Sequence, residues 1–411
     1  MTDIFGRCRA WSAYRAQLDP AIYPYFRSIA SRQDGTEVEV DGRRLIMAGS
    51  NDYLGLSCDP RVIDAAARAL ARFGTSCSGS RLLNGTLTLH EELESEMARF
   101  LGRSAAVVVT TGFQTNLAVA ALLDRDSVVF ADRHNHASLV DAVQLGASKH
   151  RRYRHNDMAH LRHLLETTES AGSRLIITDG AFSMGGDICD LPQIVKLAQM
   201  HSARVVVDGA HDVGLLGERG RGVAEHFGVE EQVDLVITTL SKCFGSLGGV
   251  FAGPAEVIDY ARHHARSIVF AASLPPANVA AALAALRILE SEPERRRRAF
   301  QVAEQLNNGL RAVGFNTGDS VTPVVPVRAG SKLECLRFWS ELFAAGIFVN
   351  AVLPPAAPEG TAVIRITLSA LHTDQHIDRI IEECTAVGRR LGFIPSTPPI
   401  SFERVKMACS V

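Results

Sequence analysis

The residues able to do chemistry lie in four short stretches, each following a run of apolar, β-branched residues. In TTLSKCFGSLGGVF (238–251), Lys242 follows the run VDLVITTL and precedes a glycine-rich turn and a second apolar run. A charged lysine in a tight crossing between buried segments is costly. As a neutral amine it can form a Schiff base with an aldehyde and later act as a general base. Taken alone, the stretch is more commonly a solvated loop lysine beside glycines. VVVDGAH places Asp208 and, three residues on, His211 after another run. A carboxylate there can hold a heteroaromatic ring nitrogen protonated while the histidine reaches a second polar atom of that ring; a buried aspartate satisfied by backbone amides fits the residues equally well. VVVTTGFQTNL sets Thr111, Gly112 and Phe113 at a strand-to-helix turn. Free amides at such a turn favour an anionic group such as phosphate, although a plain helix N-cap also explains Thr111. FADRHNHASLVDA supplies His134 and His136, and a histidine here could stack on a planar cofactor. Thr239 stands three residues before the lysine.

A lysine for an aldehyde carbon, an acid for a pyridine nitrogen, a flat partner and a phosphate cup are together the needs of pyridoxal phosphate. Each part is weak alone; their common position after apolar runs is what joins them. Those runs, SVVFAD, SRLIITDG, ARVVVDGAH and DLVITTL, lack polar alternation and are separated by helical stretches such as LPQIVKLAQMHS. The fold class this predicts is α/β: a mainly parallel sheet covered by helices on both faces, with its chemistry at the strands' carboxyl ends. Ahead of it, 1–50 reads as a helical arm and a hairpin about Asp41-Gly42. The large domain spans 51–285, a smaller α+β domain 286–395, and a loose tail 396–411.

Composition narrows the function. Lys+Arg 43 against Asp+Glu 45 gives a net charge of −2, and the basic clusters HRRYRH, RHHAR and ERRRR are short and scattered, so no nucleic-acid partner is expected. Eight cysteines include no CxxC pair and no metal-like spacing with histidine, which points to reduced thiols, a cytoplasmic protein and no metal. No apolar run approaches membrane-spanning length; contact with a membrane surface, to reach a greasy substrate, stays open.

At this point the chain resembles the α-oxoamine synthases, fold type I pyridoxal-phosphate enzymes that join an amino acid to an acyl-CoA. The resemblance runs from about 22 to 392 and rests on GSNDYLGLS (49–57), GSRLLNGTLTLHEELE (79–94), TTGFQTNLA (110–118), DRHNHASLVDA (132–142), TDGAFSMGGDICDLP (178–192), VVVDGAHDVGLLGERGRG (205–222), TTLSKCFGSLGG (238–249), SLPPA (273–277) and IRITLSALHT (364–373). It implies that Lys242 is the Schiff-base lysine, Asp208 the partner of the pyridine nitrogen and His211 the contact to the ring hydroxyl. His136 would cover the cofactor face and contact substrate. Gly112 and Phe113 would sit on the phosphate side, with Ser183 and Thr239 as further cofactor contacts. Arg365 and Asn51 would receive the amino acid's carboxylate.

The resemblance also implies a homodimer with shared active sites. Its wording leans to the branch that condenses L-serine with a long-chain acyl-CoA such as palmitoyl-CoA, giving 3-ketosphinganine, CoA and CO2 for sphingolipid synthesis. Branches making 8-amino-7-oxononanoate or 2-amino-3-ketobutyrate, or serving a natural-product pathway, share the core, and an aminotransferase or lyase without CoA is the alternative of another class. Three places depart from the family's pattern: Gly209 replaces an acidic residue, Ala271 a hydroxyl residue that reaches the neighbouring chain's phosphate, and Cys243-Phe244 follow the lysine where serine is common.

Overall fold

The computed structural model describes residues 3–169, 172–354, 356–357 and 361–395. The expected tail, 396–411, lies outside them. After a helix at Gly6–Ala16, strands β1 (Ser31–Gln33), β2 (Glu37–Val40) and β3 (Arg43–Met47) form an antiparallel meander; the β2–β3 hairpin turns at Asp41-Gly42.

Seven strands make the large sheet: β4 (Ala105–Val109), β5 (Val128–Asp132), β6 (Lys149–Tyr153), β7 (Arg174–Asp179), β8 (Ala203–Asp208), β9 (Leu235–Thr239) and β10 (Gly249–Gly253). Their order is β4-β10-β9-β8-β7-β5-β6, parallel except that β10 runs antiparallel to both its neighbours. Every residue of β5, β9 and β10 is buried, the pattern of strands covered on both faces. Alternate residues feed two separate cores. Val108, Phe130, Ile176, Val207 and Val236 pack on one side, and Val109, Val129, Ile177, Val206 and Ile237 on the other. Strand β6, KHRRY, was not among the expected strands: its sequence read only as part of a basic cluster. It is the sheet's edge, where charged side chains guard unpaired backbone. The run QTNLAVAALL forms not one helix but two short pieces, Gly112–Leu117 and a 3-10 turn at Ala118–Leu122.

Helices Pro276–Ser291 and Glu294–Ala312 lead out of this sheet. The second spans two cores, with Ala299 in one and Val302, Leu306 and Leu310 in the other. A smaller C-terminal sheet follows, with β11 (Val324–Arg328), β13 (Asn350–Val352) and β14 (Val363–Thr367) in the order β11-β14-β13. The two-residue β12 (Ile347–Phe348) pairs in parallel with β3, so the hairpin shares a sheet with the C-terminal region, and Ile46 and Ala48 join its core around Trp339. Among the described residues no helix is long and apolar enough to cross a membrane, no three His, Cys, Asp or Glu side chains could share a metal, and the cysteines are free.

Candidate active site

Because β10 alone is reversed, the carboxyl ends of β4, β5, β7, β8 and β9 open on one edge of the large sheet, and the start of β10 joins them. A cavity of about 260 Å³ lies there, lined by Gly112, Phe113, His136, Asp208, His211, Thr239 and Lys242, all seven expected from the sequence. Lys242 follows β9 in a turn that closes with Gly245 N–H donating to the Lys242 carbonyl at 2.9 Å. Gly245 has φ +56°, and a Cβ there would lie 2.4 Å from the Ser57 backbone nitrogen, which is why the turn needs glycine.

Lys242 Nζ lies 2.8 Å from His211 Nε2, and His211 Nδ1 lies 2.7 Å from the Tyr53 hydroxyl. Burial pulls the lysine down to about 8, with Asp208 opposing; burial and the neighbouring cations Lys242 and Arg365 push His211 well below the usual imidazole range. Burial raises the Tyr53 phenol to about 12, so it remains a neutral hydroxyl. Asp208, 4% exposed at the end of β8, accepts from Ala210 N–H at 3.0 Å and from Asn116 Nδ2 at 2.6 Å. Asp179 ends β7 beside it. Burial and the Asp208 charge push its carboxyl well up, and it accepts the His136 N–H at 3.2 Å.

The turn expected to take the phosphate is built by close approach. Thr111 caps the helix by accepting Gln114 N–H at 3.2 Å, and the first N–H groups, those of Gly112 and Phe113, have no acceptor within the helix. A Cβ on Gly112 would meet Thr239 Cβ at 2.9 Å. The Thr239 hydroxyl lies 2.8 Å from that of Ser241 and donates to the Gly248 carbonyl at 3.0 Å.

Arg365 comes from the central strand of the small sheet, β14, and is 4% exposed. Its fork reaches three acceptors on the other side of the cleft: Nε to the Ser183 carbonyl at 2.6 Å, Nη1 to Asn51 Oδ1 at 3.0 Å and Nη2 to the Tyr53 hydroxyl at 3.3 Å. Asn51 and Arg365 therefore meet, and Tyr53 ties them to His211. Ser183 stands apart from the cavity: it contributes its carbonyl to Arg365 and lines an adjoining groove with Arg133, His134, His136 and Arg152. His134 stacks on His155 at 3.9 Å instead of facing the cavity. Ser273, beside the departure at Ala271, spends its hydroxyl within its own chain, on the Gly79 carbonyl at 3.0 Å.

Sequence reasoning did not single out Tyr53, Asn116, Ser138 or Asp179. Tyr53 sits inside the quoted NDYLGL words two residues after Asn51, and Asn116, Ser138 and Asp179 lie within quoted motifs too. Their signal was present but had no role attached.

The residues fit pyridoxal phosphate by their chemistry: an amine depressed toward neutrality, a buried carboxylate with its two oxygens already oriented, and a side-chain-free approach at Gly112 beside two hydroxyls. With helices on both faces of this sheet and that set at its carboxyl edge, the molecule is a fold type I pyridoxal-phosphate enzyme. The chain matches the aminotransferase class I and II family over residues 44–383. It is 44% identical to the serine palmitoyltransferase of Sphingobacterium spiritivorum over 89% of this chain and 92% of that one. It is 40% identical to the 8-amino-7-oxononanoate synthase of Thermosipho melanesiensis over 91% and 95%. A solved serine palmitoyltransferase carrying pyridoxal phosphate superposes with a TM-score of 0.93 at 34% identity, covering 96% of this chain and 100% of that one. The chain belongs to the aminotransferase class I and II family and, within it, to the pyridoxal-phosphate-dependent acyltransferases of the α-oxoamine synthase group.

Proposed function

We propose that the chain condenses L-serine with a long-chain acyl-CoA, palmitoyl-CoA as the leading donor, and releases CoA, CO2 and 3-ketosphinganine. The observation that carries the amino-acid half is the join between two sets of groups. Arg365 and Asn51, a pair suited to a carboxylate, connect through Tyr53 to His211 and the Lys242 amine. The acyl-CoA half and the choice of serine rest on the similarity to the Sphingobacterium enzyme. The similarity to 8-amino-7-oxononanoate synthases supports a second reading, the same condensation with another substrate pair.

In this reading Lys242, Asp208 and His211 hold the cofactor at its aldehyde, pyridine nitrogen and ring hydroxyl. His136 covers its face, and Gly112, Phe113 and Thr239 take the phosphate, while Ser183, in the adjoining groove, holds Arg365 through its carbonyl. Pyridoxal phosphate, when bound, supplies an electrophilic carbon and a ring able to take up the electron pair released at the substrate's α-carbon. Arg365 and Asn51 orient the carboxylate. Lys242, with its amine drawn toward 8, takes the α-proton at Nζ near neutral pH. His136 donates a hydrogen bond to the substrate carboxylate and then to the acyl carbonyl.

We place the enzyme in the cytoplasm as a homodimer. Exposed Leu83 and Phe270 support the second copy. They flank segments joined by the Ser80–Ala272 bridge, and Thr110, just before the phosphate-side turn, bonds to the Ala272 carbonyl, so this apolar surface lies close to the cavity. The test is a panel: purified protein with pyridoxal phosphate, four amino acids (serine, glycine, alanine, threonine) and acyl-CoAs of graded length, read as free thiol, CO2 and product mass. Thiol and CO2 with serine and palmitoyl-CoA are expected. Turnover that transfers the amino group and releases no thiol overturns the proposal.

A further inference from the structure

Behind His136 runs a chain of hydrogen bonds whose direction is set by a single charge. Asn116, 3% exposed, gives one Nδ2 hydrogen to Asp208 Oδ2 at 2.6 Å and the other to Ser138 Oγ at 2.7 Å, while its buried Oδ1 has no partner among the described residues. Turning the amide over would press that oxygen against the Asp208 carboxylate, so the amide orientation follows from the carboxylate being an acceptor only. The Ser138 hydroxyl has one hydrogen. Its other neighbour is His136 Nδ1, at 2.6 Å, and because the Ser138 backbone N–H, which can only donate, is aimed at the same nitrogen at 3.3 Å, Nδ1 is the acceptor and the hydroxyl hydrogen goes to it. A neutral imidazole whose Nδ1 accepts must carry its proton on Nε2.

We infer that Asn116 and Ser138 are positioning residues that lock His136 as its Nε2–H tautomer, with the Asp208 charge as the origin of the lock. This rests on the reading of His136 as a substrate-facing group. It adds two consequences. His136 offers the cavity a hydrogen-bond donor and no basic nitrogen, so the α-proton is left to Lys242. And the group expected to hold the cofactor's ring nitrogen also decides what His136 can do to the substrate. Burial, opposed by Asp208, lowers the His136 imidazole, which keeps it neutral for this role.

The test is a tautomer measurement by long-range ¹H–¹⁵N correlation on full-length protein labelled at histidine nitrogen and loaded with pyridoxal phosphate, repeated without it. The His136 signals are assigned by their loss in His136→Asn. Wild type should carry a single tautomer, protonated at Nε2. Ser138→Ala and Asn116→Leu should each raise the Nδ1–H population several-fold and lower kcat about tenfold, with KM for the amino acid rising as well, because the Nε2–H donor also serves the substrate carboxylate. Ser138→Thr, which keeps the hydroxyl, should restore both. Asp208→Asn, which lets the Asn116 amide turn over, should mix the His136 tautomers even without cofactor. A wild-type His136 protonated at Nδ1 overturns the inference. So does Ser138→Ala or Asn116→Leu with both tautomer and kcat unchanged. The measurement needs no substrate, so a correctly locked His136 in a protein that makes no acyl product would sink the proposed reaction alone.

Discussion

Two histidines at the same edge of the large sheet each bridge two polar partners, and their charges part in opposite directions. His211, beyond β8, sits between the Tyr53 hydroxyl and the Lys242 amine, and it is pushed well below the usual imidazole range. His155, beyond β6, sits between two carboxylates, Asp132 at 3.0 Å and Asp187 at 2.8 Å. Burial pulls His155 down as well, but the two carboxylates overcome it and raise it to about 9. Burial alone therefore does not set the charge of a histidine here; the sign of its partners does. The first arrangement keeps a reactive amine beside a neutral ring. The second is an ion cluster that ties the ends of β5 and β6 to the segment carrying Ser183 and hence to Arg365.

The reactive side is the easier to break. Lys242→Ala should lower turnover by at least about 10³-fold, because among the described residues no other amine lines the cavity. Borohydride reduction and peptide mapping of the wild type should place the cofactor label at residue 242. A label elsewhere removes Lys242 from the comparison altogether. Next in size is Arg365→Lys. A lysine cannot serve the Ser183 carbonyl, Asn51 and Tyr53 with one fork, so KM for the amino acid should rise about 100-fold while kcat falls much less. Equal losses in both, measured by steady-state kinetics, would mean that Arg365 acts on the reacting atoms instead. Tyr53→Phe cuts the link between that arginine and His211. It should lower kcat/KM about tenfold and shift the acid limb of its pH profile, since His211 Nδ1 loses its partner. An unchanged profile would detach His211 from the carboxylate site.

How far this contrast was legible in the sequence differs between its halves. Asp208, His211 and Lys242 each follow an apolar run at a strand end, so periodicity alone brings them to one edge. The sheet's parallel character was legible for the same reason. The reversal of β10 and the charged edge strand β6 were not: the buried run GVFAG carries no mark of its direction, and an edge strand carries the residues that patterns assign to loops. Arg365 was legible only through family resemblance: nothing in AVIRITLS says that its side chain crosses to Asn51, 314 positions away. The His155 cluster joins positions 132, 155 and 187: Asp132 closes an expected strand, His155 belongs to a basic run and Asp187 follows two glycines, and none of them points to the others as partners. Pairing across such separations belongs to tertiary structure.

The smallest effect on activity, and the sharpest on the contrast, comes from the other histidine. His155 is raised from 6.5 to about 9 in the folded protein, so its contribution is fully present below the unfolded value and fades as pH climbs through 9. Its side chain is 24% exposed, and the shift corresponds to about 3 kcal/mol at neutral or mildly acidic pH. His155→Gln should therefore lower Tm by about 3 °C at pH 6.5, and the gap should close toward pH 10, where the wild-type ring has lost its charge. Turnover should change about twofold, through the looser segment that holds Ser183 against Arg365. The mirror result, a gap that widens with pH, would mean that His155 is held neutral like His211, and partner charge would then no longer explain why the two histidines differ.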